Sequence, residues 1–322
     1  MQNLFRKLEI LIRMNCYKYK ISVIICTYNR EEFLPNLIKS VTQQTLDKQQ
    51  YEILFINNNS TDQTETLCQQ YIQQYSAWSI RYFVETQQGL SYARNRGITE
   101  AQGEYITFAD DDALLAPDFL QQVCNHLDQH PDIAEVGGPI YLKYLGKIPA
   151  WENPYMNSLL GYFHPSSTSY QMKRKNKKYP RGSNMTFRTH IFSTCGHFNV
   201  ALGRVKRIML GGEEKDIAFR ILDQQKKISY IPEAIVYHLV PEYRTTTSFI
   251  RTQALGTGNS EQIRSKTNQE YSKRIFIEGI KWGATFLLWI WYSITCKFSK
   301  ANMLVRFRYW VTQGLLQKLP KE

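Results

Sequence analysis

The sequence lacks several features that assign a protein to a common class. Its six cysteines form no C-x-x-C pair and no zinc-like spacing, which argues against a structural zinc site and favours a reducing cytosol. The first twenty residues hold neither a continuous apolar core nor a small-residue cleavage site, so we expect no signal peptide. No sequence repeat or low-complexity tract is evident, which gives no support to a solenoid or a disordered chain.

Acidic residues are scarce relative to basic ones. The 322 residues include 40 Lys and Arg against 28 Asp and Glu, a formal net charge of +12. A surplus of this size suits a polyanionic partner such as nucleic acid, an anionic membrane or a phosphorylated substrate, although a merely solvated basic surface is the alternative. Hydrophobic residues make up 43% of the chain, enough for a large core.

Strand-like and helix-like segments alternate in the first third of the chain. Residues 21–26 form a β-branched apolar run, which predicts a strand buried on both faces. Leu34, Leu37, Ile38 and Val41 then recur at helical spacing. This alternation predicts an α/β fold with a mainly parallel sheet flanked by helices. Further strands are predicted at 51–56, 80–84 and 105–109, with helices after each of the first two.

The rest of the chain is less regular. Gly211 and Gly212 precede a helical pattern at 213–226, and the chain from residue 243 onward has a helical pattern. Strands are predicted at 134–141, 183–188 and 235–238, with a loop-rich stretch at 145–181. We therefore divide the chain into an N-terminal segment at 1–20, a catalytic domain at 21–242 and a helical, basic C-terminal region at 243–322.

Polar residues follow three of the predicted strands: residues 27–30, 57–59 and 110–112. Ligands of parallel sheets bind beyond the carboxyl ends of the strands, so we expect these residues to meet at one edge. No G-x-G-x-x-G motif or P-loop follows the first strand, which excludes the usual dinucleotide and Walker sites. The spacing of Ser60 and Gln63 predicts a capping box for the next helix.

Asp110, Asp111 and Asp112 form an acidic run directly after an apolar strand. Adjacent carboxylates repel each other unless a cation neutralises them, and Mn²⁺ or Mg²⁺ takes one or two carboxylates together with phosphate oxygens. A solvated turn ahead of a helix near Pro117 is the alternative. The position at a strand end beside other polar strand ends favours a metal site.

Six ordered motifs lie between residues 21 and 240: VIICTYNR at 23–30, NNNSTD at 57–62, GLSYARN at 89–95, GEYITFADDD at 103–112, GSNMTFR at 182–188 and GEE at 212–214. Together they resemble the family 2 glycosyltransferases of the GT-A fold. The resemblance implies a metal-dependent enzyme that transfers a sugar from a nucleotide diphosphate, with UDP the expected nucleotide, to an acceptor hydroxyl with inversion. Mn²⁺ or Mg²⁺ is the implied cofactor.

The resemblance also implies roles for particular residues. Thr27, Tyr28 and Arg30 are expected to line the nucleotide pocket, with Tyr28 against the base. Asn58 occupies the position of the residue that contacts the uracil in this family, which is often Asp. The remaining implied roles are Arg94 and Asn95 near the ribose or diphosphate, Asp110 and Asp111 in the donor site with Asp111 at the ribose, Asp112 on the metal, and Asn184 near the sugar.

Three acids compete for the role of general base, Glu213, Glu214 and Asp216, and helix geometry helps to separate them. Glu214 shares a face with the apolar Ile217, Ala218 and Ile221, so we expect it to point into the cleft. Asp216 lies four residues before Arg220, the spacing of a surface ion pair. The resemblance also selects Glu214 as the base. A favourable charge at the helix N-terminus is the alternative role for this glutamate.

His238 ends the last predicted strand. The resemblance implies that a histidine near this position contacts the metal or the diphosphate, whereas a structural histidine is the alternative. No argument from the residues alone decides between the two.

The C-terminal region contains fifteen residues without a formal charge, Trp282 to Cys296, flanked by lysines. This stretch is short for a membrane span but suits an interfacial helix on anionic lipid. A helix packed on the catalytic domain is the alternative. We expect a cytoplasmic protein, peripheral on the cytoplasmic face of a membrane, that acts on a glycan or lipid-linked acceptor and binds no nucleic acid. Rival functions are a non-catalytic basic binding module and a sugar-phosphate nucleotidyltransferase, whose glycine-rich loop is missing.

Overall fold

The computed structural model describes residues 17–176, 178–203, 212–265 and 267–317. The chain forms two compact units. The first consists of Met1–Tyr141 and Phe163–His238, and the second of Leu142–Tyr162 and Leu239–Glu322. The predicted catalytic domain ended at residue 242 and included 142–162, which the structure assigns to the second unit. Most of the predicted N-terminal segment, residues 1–16, lies outside the described residues.

An eight-stranded sheet of order β3-β2-β1-β4-β9-β6-β10-β8 organises the first unit. β3, β2, β1 and β4 are mutually parallel, as the alternation of strands and helices predicted. β9 lies antiparallel between β4 and β6, so the sheet is mixed but mainly parallel. The strands are β1 (Tyr19–Thr27), β2 (Tyr51–Asn57), β3 (Ser79–Val84), β4 (Gly103–Asp110), β5 (Ala113–Leu115), β6 (Ile133–Gly137), β7 (Ile140–Tyr144), β8 (Tyr170–Met172), β9 (Met185–Arg188), β10 (Lys227–Tyr230) and β11 (Val236–Val240).

The helices form where the apolar pattern has a helical period. In α1 the residues Leu34, Leu37, Ile38 and Val41 are buried, and together they form the face that the sequence predicted. All of β2 is buried on both faces of the sheet, as expected for a central strand. The helices are α1 (Leu34–Thr42), α2 (Thr64–Gln74), α3 (Leu90–Glu100), α4 (Phe119–Gln129), α5 (Ile191–Cys195), α6 (Glu213–Asp223), α7 (Thr247–Arg264), α8 (Asn268–Ile294) and α9 (Phe298–Leu316).

The single strand predicted at 134–141 was wrong. Gly138 and Pro139 interrupt it, so that β6 joins the large sheet and β7 joins a three-stranded sheet of order β5-β11-β7. Proline cannot donate a backbone hydrogen bond to a ladder. A Cβ on Gly138 would overlap the backbone of Ala234, so this close approach requires glycine.

The second unit has its own apolar core. Trp151, Met156 and Leu160 from the first of its two segments pack with side chains of α7, α8 and α9. α7 and α9 cross closely at Gly258 and Gly314, where an added Cβ would overlap the opposing backbone. Among the described residues, no helix combines the length and the hydropathy needed to cross a membrane.

Candidate active site

The carboxyl ends of the central strands meet at one edge of the large sheet, as predicted. Thr27 at the end of β1 is in register with Asn57 at the end of β2. Cys26 is in register with Asp110 at the end of β4. Three segments that together span about eighty residues of sequence therefore border one site. Burial raises the pKa of the Cys26 thiol to about 12, so this thiol stays neutral there.

Reciprocal hydrogen bonds join the loops after β1 and β2. The Asn29 backbone N–H donates to Ser60 Oγ at 3.0 Å, and the Thr61 N–H donates back to Asn29 Oδ1 at 2.8 Å. Asn29 adopts a left-handed conformation with φ of 51°, which asparagine tolerates better than most residues. The Ser60 hydroxyl thus accepts a hydrogen bond from the other loop and does not cap the helix. The predicted capping box with Gln63 was wrong. These bonds hold the two loops in a fixed relation.

The acidic run divides into three environments. Asp110 ends β4 and lies 3.5 Å from the Arg94 guanidinium. Asp112 is buried, whereas Asp111 is partly exposed. Burial and the Asp112 charge hold the pKa of Asp111 well above its usual range, against the opposing effect of Arg30. The three carboxylates repel one another, and a bound cation would relieve this repulsion.

β5 and β11 bring His238 to the acidic run. The two strands pair antiparallel, with His238 opposite Ala113, the residue after Asp112. His238 Nε2 lies 3.2 Å from Asp112 Oδ1, and both side chains are about nine-tenths buried. Among the residues that the structure describes, no three His, Cys, Asp or Glu side chains group as metal ligands. Two adjacent protein donors fit a cation that takes its remaining ligands from phosphate oxygens and water.

Arg94 forms a buried ionic network behind the acidic run. Its guanidinium lies 3.0 Å from Glu213 Oε1, and only 2% of the Arg94 side chain and 4% of the Glu213 side chain are exposed. The rings of Phe108 and Phe198 lie within 6 Å of the same guanidinium. Burial alone lowers the pKa of Arg94, but Glu213 and Asp110 raise it above its ordinary value. Arg94 therefore stays charged and fixes the start of α6 against β4.

Glu214 begins α6 beside this network. A Cβ on Gly182 would lie 2.8 Å from Glu214 Oε1 and closer still to Arg94, so glycine is needed there. Burial and the neighbouring Glu213 charge raise the pKa of Glu214, while Arg94 and Arg181 lower it. A partly exposed carboxylate with a raised pKa beside this network is the arrangement expected of a general base.

The other acids of α6 are engaged in ion pairs. Asp216 pairs with Arg220 at 2.9 Å, as the four-residue spacing predicted. Glu213 is more deeply buried than Glu214, a position that sequence reasoning missed. The missed signal was the buried arginine, since Glu213 faces inward to compensate the Arg94 charge.

Three predicted asparagines hydrogen-bond mainly to the backbone. Asn58 donates to the carbonyls of Glu85 and Gln87 and accepts from the Gly89 N–H. The Asn95 amide donates to the Phe198 carbonyl. These contacts order the loop ahead of α3 and its neighbours, and the predicted ligand roles of Asn58 and Asn95 stay predictions.

Asn184 lies where β6 gives way to β7. Its amide donates to the carbonyls of Pro139 and Ala234, and its carbonyl accepts from the Gly138 N–H. The predicted contact with the sugar stays a prediction.

The predicted nucleotide-pocket residues follow β1. Thr27 is buried, whereas Tyr28 and Arg30 are partly exposed beside the acidic run. The Arg30 guanidinium lies 5.4 Å from the centre of the Phe33 ring. The structure thus brings Thr27, Asp110 and Asp112 to one sheet edge and leaves Tyr28 and Arg30 accessible there.

Glu213→Gln is expected to lower the free energy of unfolding by about 3 kcal/mol, because it leaves the buried Arg94 charge without its nearest carboxylate. Urea unfolding followed by circular dichroism measures the change. Asp216→Asn is the matched control, since its pair with Arg220 is partly exposed and contributes about 0.5 kcal/mol. Equal effects of the two substitutions would contradict the role of Glu213.

Comparison with known protein families identifies one matching model. Residues 22–196 match the family described as Glycosyl transferase family 2. This range includes most of β1, all of β2 to β4, the acidic run and Asn184.

Similar proteins match this chain over different lengths. The chain is 22% identical to the glucosyl-dolichyl phosphate glucuronosyltransferase of Haloferax volcanii, over 76% of this chain and 77% of that protein. It is 35% identical to the minor teichoic acid biosynthesis protein GgaB of Bacillus subtilis, over 39% of this chain but only 14% of that protein. The second match therefore compares one segment of a much longer protein.

Solved structures share the fold. The mannosyltransferase PcManGT of Pyrobaculum calidifontis, in complex with GDP-Man and Mn²⁺, superposes with a TM-score of 0.61 at 16% identity, over 93% of this chain and 88% of that one. Residues 1–349 of TarS from Staphylococcus aureus superpose with a TM-score of 0.51 at 17% identity, over 91% and 90% of the two chains. At these identities the likeness shows the fold, the mainly parallel α/β sheet flanked by helices that is called GT-A.

Proposed function

The chain belongs to glycosyl transferase family 2, and on that premise we propose that it transfers a sugar from a UDP-sugar to an acceptor hydroxyl, with inversion at the anomeric carbon. One observation carries the proposal. A buried carboxylate and a buried imidazole lie 3.2 Å apart at the sheet edge where the polar strand ends meet. Such an edge is where open α/β sheets bind their ligands.

Residues after β1 and β2 would bind the nucleotide. Tyr28 and Arg30 are accessible at the sheet edge, and Tyr28 would stack on the base. Asn58 would contact the uracil from a loop that its own hydrogen bonds keep in place. Because the loops are tied to each other, this pocket would need little rearrangement to bind a nucleotide.

Asp112 and His238 would hold a divalent cation, Mn²⁺ or Mg²⁺, and Asp111 would contact the ribose. When bound, the cation supplies positive charge for the diphosphate that leaves. The chain's own contribution is to fix the two donors side by side through the pairing of β5 and β11. The Arg94 guanidinium, 3.5 Å from Asp110, compensates the negative charge of that carboxylate beside them.

Glu214 would act as the general base. It would accept the proton of the acceptor hydroxyl as the oxygen attacks the anomeric carbon from the face opposite the leaving diphosphate, and this direction of attack inverts the configuration. Gly182 leaves the carboxylate the room that it needs. Arg94 and Arg181 favour its ionised form, the only form that accepts a proton.

The acceptor would be a glycan or a lipid-linked carrier in the assembly of a cell-surface polymer. The similarity to a teichoic acid biosynthesis protein and to a glucosyl-dolichyl phosphate glucuronosyltransferase supports this class. The protein would then work on the cytoplasmic face of a membrane without spanning it, where nucleotide sugars and lipid carriers meet.

Thermal unfolding with nucleotides and Mn²⁺ tests the donor. UDP at one hundred times its dissociation constant should stabilise the protein by about 2.7 kcal/mol, which raises the Tm by several degrees. The rise should need both UDP and Mn²⁺ and should be smaller with GDP or ADP. A larger rise with another nucleotide would show that the donor carries that nucleotide and not UDP. No rise with any nucleotide would overturn the proposed donor site.

A further inference from the structure

Contacts with α9 fix which side of α8 faces inward. The buried Glu278 of α8 lies 3.0 Å from the Arg308 guanidinium of α9. One turn further on, Trp282 Nε1 donates to Thr312 Oγ1 at 2.9 Å. These contacts hold one face of α8 against α9 and leave the opposite face pointing away from the unit.

The opposite face of α8 carries an apolar stripe. Its members are all at least 60% exposed: Phe276 at 70%, Ile280 at 60%, Leu287 at 68%, Trp291 at 61% and Ile294 at 72%. Their spacings of three, four and seven residues place them on one side of the helix over roughly 27 Å. A soluble monomer rarely exposes an apolar strip of this length, which marks it as an interaction surface.

Positive charge is concentrated in the same unit. The segments Leu142–Tyr162 and Leu239–Glu322 contain fifteen Lys and Arg against six Asp and Glu, which gives +9 of the chain's +12. Lys273 and Lys297 are exposed near the two ends of the stripe, and the Lys281 side chain is 50% exposed at its flank. An apolar stripe with tryptophan and bordering lysines is the composition of a helix that lies at a lipid interface.

We propose that this stripe docks in the plane of an anionic lipid membrane, with its apolar side chains below the headgroups and the bordering lysines on the lipid phosphates. The inference builds on the proposed peripheral localisation and is independent of sugar transfer. The stripe extends the predicted interfacial stretch 282–296 toward the start of α8, because its exposed apolar side chains begin at Phe276.

Charge favours a membrane over a second copy of the chain as the occupant. Joining two copies through this stripe would bring together two units of charge +9, which repel each other. An anionic membrane attracts the same charge and buries the same apolar surface. The in-plane orientation follows from the inward contacts of Glu278 and Trp282, which keep one side of the helix on protein.

Vesicle flotation of the full chain tests the proposal. The wild type should float with phosphatidylcholine vesicles that contain phosphatidylglycerol and float much less with phosphatidylcholine alone, and added salt should weaken the binding. Leu287→Glu and Trp291→Glu should each reduce partitioning by about 10-fold or more, because each removes an apolar side chain that docking would bury in the lipid. Lys273→Gln and Lys297→Gln should each reduce it about fivefold on anionic vesicles only.

Ile148→Glu is the matched control, since Ile148 is equally exposed, at 66%, in the same unit but outside α8. It should float like the wild type. Each variant is checked by circular dichroism and by UDP binding, so loss of the fold or of the donor site is distinguished from loss of docking.

Unchanged flotation of the stripe variants would overturn the proposal. So would a wild-type dimer that these variants dissociate in light scattering without any vesicle binding, since the stripe would then join two copies.

Discussion

Glu214→Gln is expected to lower kcat by about 10² to 10⁴, the usual contribution of a positioned base. An acceptor hydroxyl is a weak nucleophile near neutral pH, so proton removal matters in the transition state more than in substrate binding. UDP affinity should therefore stay close to that of the wild type. Steady-state kinetics with the donor found by thermal unfolding, together with calorimetry of UDP binding, measure both quantities.

Asp216→Asn is the matched control for this prediction. It removes a carboxylate from the same turn of α6, but one that already pairs with Arg220. Its kcat should fall far less than that of Glu214→Gln. A near-normal kcat for Glu214→Gln with a collapse for Asp216→Asn would overturn the assignment and the orientation of α6 on which it rests.

The pH dependence of kcat follows from the same residue. Burial and Glu213 raise the pKa of Glu214 above the ordinary value of 4.5, and only the ionised form accepts a proton. The rate should therefore fall as the pH falls through this raised pKa. Arg181→Gln removes a positive charge that lowers the pKa, so it should move the acidic limb of the profile to higher pH. An acidic limb that moves to lower pH would contradict the proposed electrostatics.

Asp112→Asn is expected to abolish the effect of Mn²⁺ on UDP affinity. The substitution keeps the shape of the side chain but removes the negative charge that the cation needs. Since a bound cation contributes several kcal/mol to binding of a diphosphate, we expect the affinity for UDP in Mn²⁺ to fall by about 10² or more. Isothermal calorimetry of UDP with Mn²⁺ and with a chelator measures the difference without any turnover.

Asp132→Asn serves as the control, because Asp132 pairs with Lys227 on an exposed surface of the same unit. It should leave the effect of Mn²⁺ unchanged. If the wild type binds UDP equally well with Mn²⁺ and with chelator, the metal assignment of Asp112 and His238 fails.

The sequence predicted the sheet edge well because its signals are local. The apolar run of β1 and the helical spacing of Leu34, Leu37 and Val41 each depend on residues that are close in the chain. The meeting of Asp110 with Thr27 then follows from the general rule for parallel strands. The Asp216–Arg220 pair was predictable for the same reason, since helix geometry alone sets its distance.

The features that sequence reasoning missed depend on distant partners. Ser60 has the spacing of a helix cap, but its hydroxyl accepts a hydrogen bond from Asn29, thirty-one residues earlier. Glu213 faces inward because of Arg94, which is 119 residues away in the sequence. The two residues that break β6 from β7, Gly138 and Pro139, are both hydrogen-bonded by Asn184, which lies more than forty residues further along the chain. The spacing of residues along the sequence does not show which distant residues will be in contact.

The divided second unit constrains how the protein can fold during synthesis. Trp151, Met156 and Leu160 leave the ribosome long before the helices that cover them, the last of which ends at Leu316. At bacterial or eukaryotic rates of translation this interval is roughly 8 to 30 s. The first unit can acquire its sheet during that time, whereas the apolar segment 142–162 must wait in a loop that emerges from an otherwise complete unit. A nascent chain stalled before α9 should therefore expose this segment to chaperones and proteases, although the sheet edge of the first unit is already built.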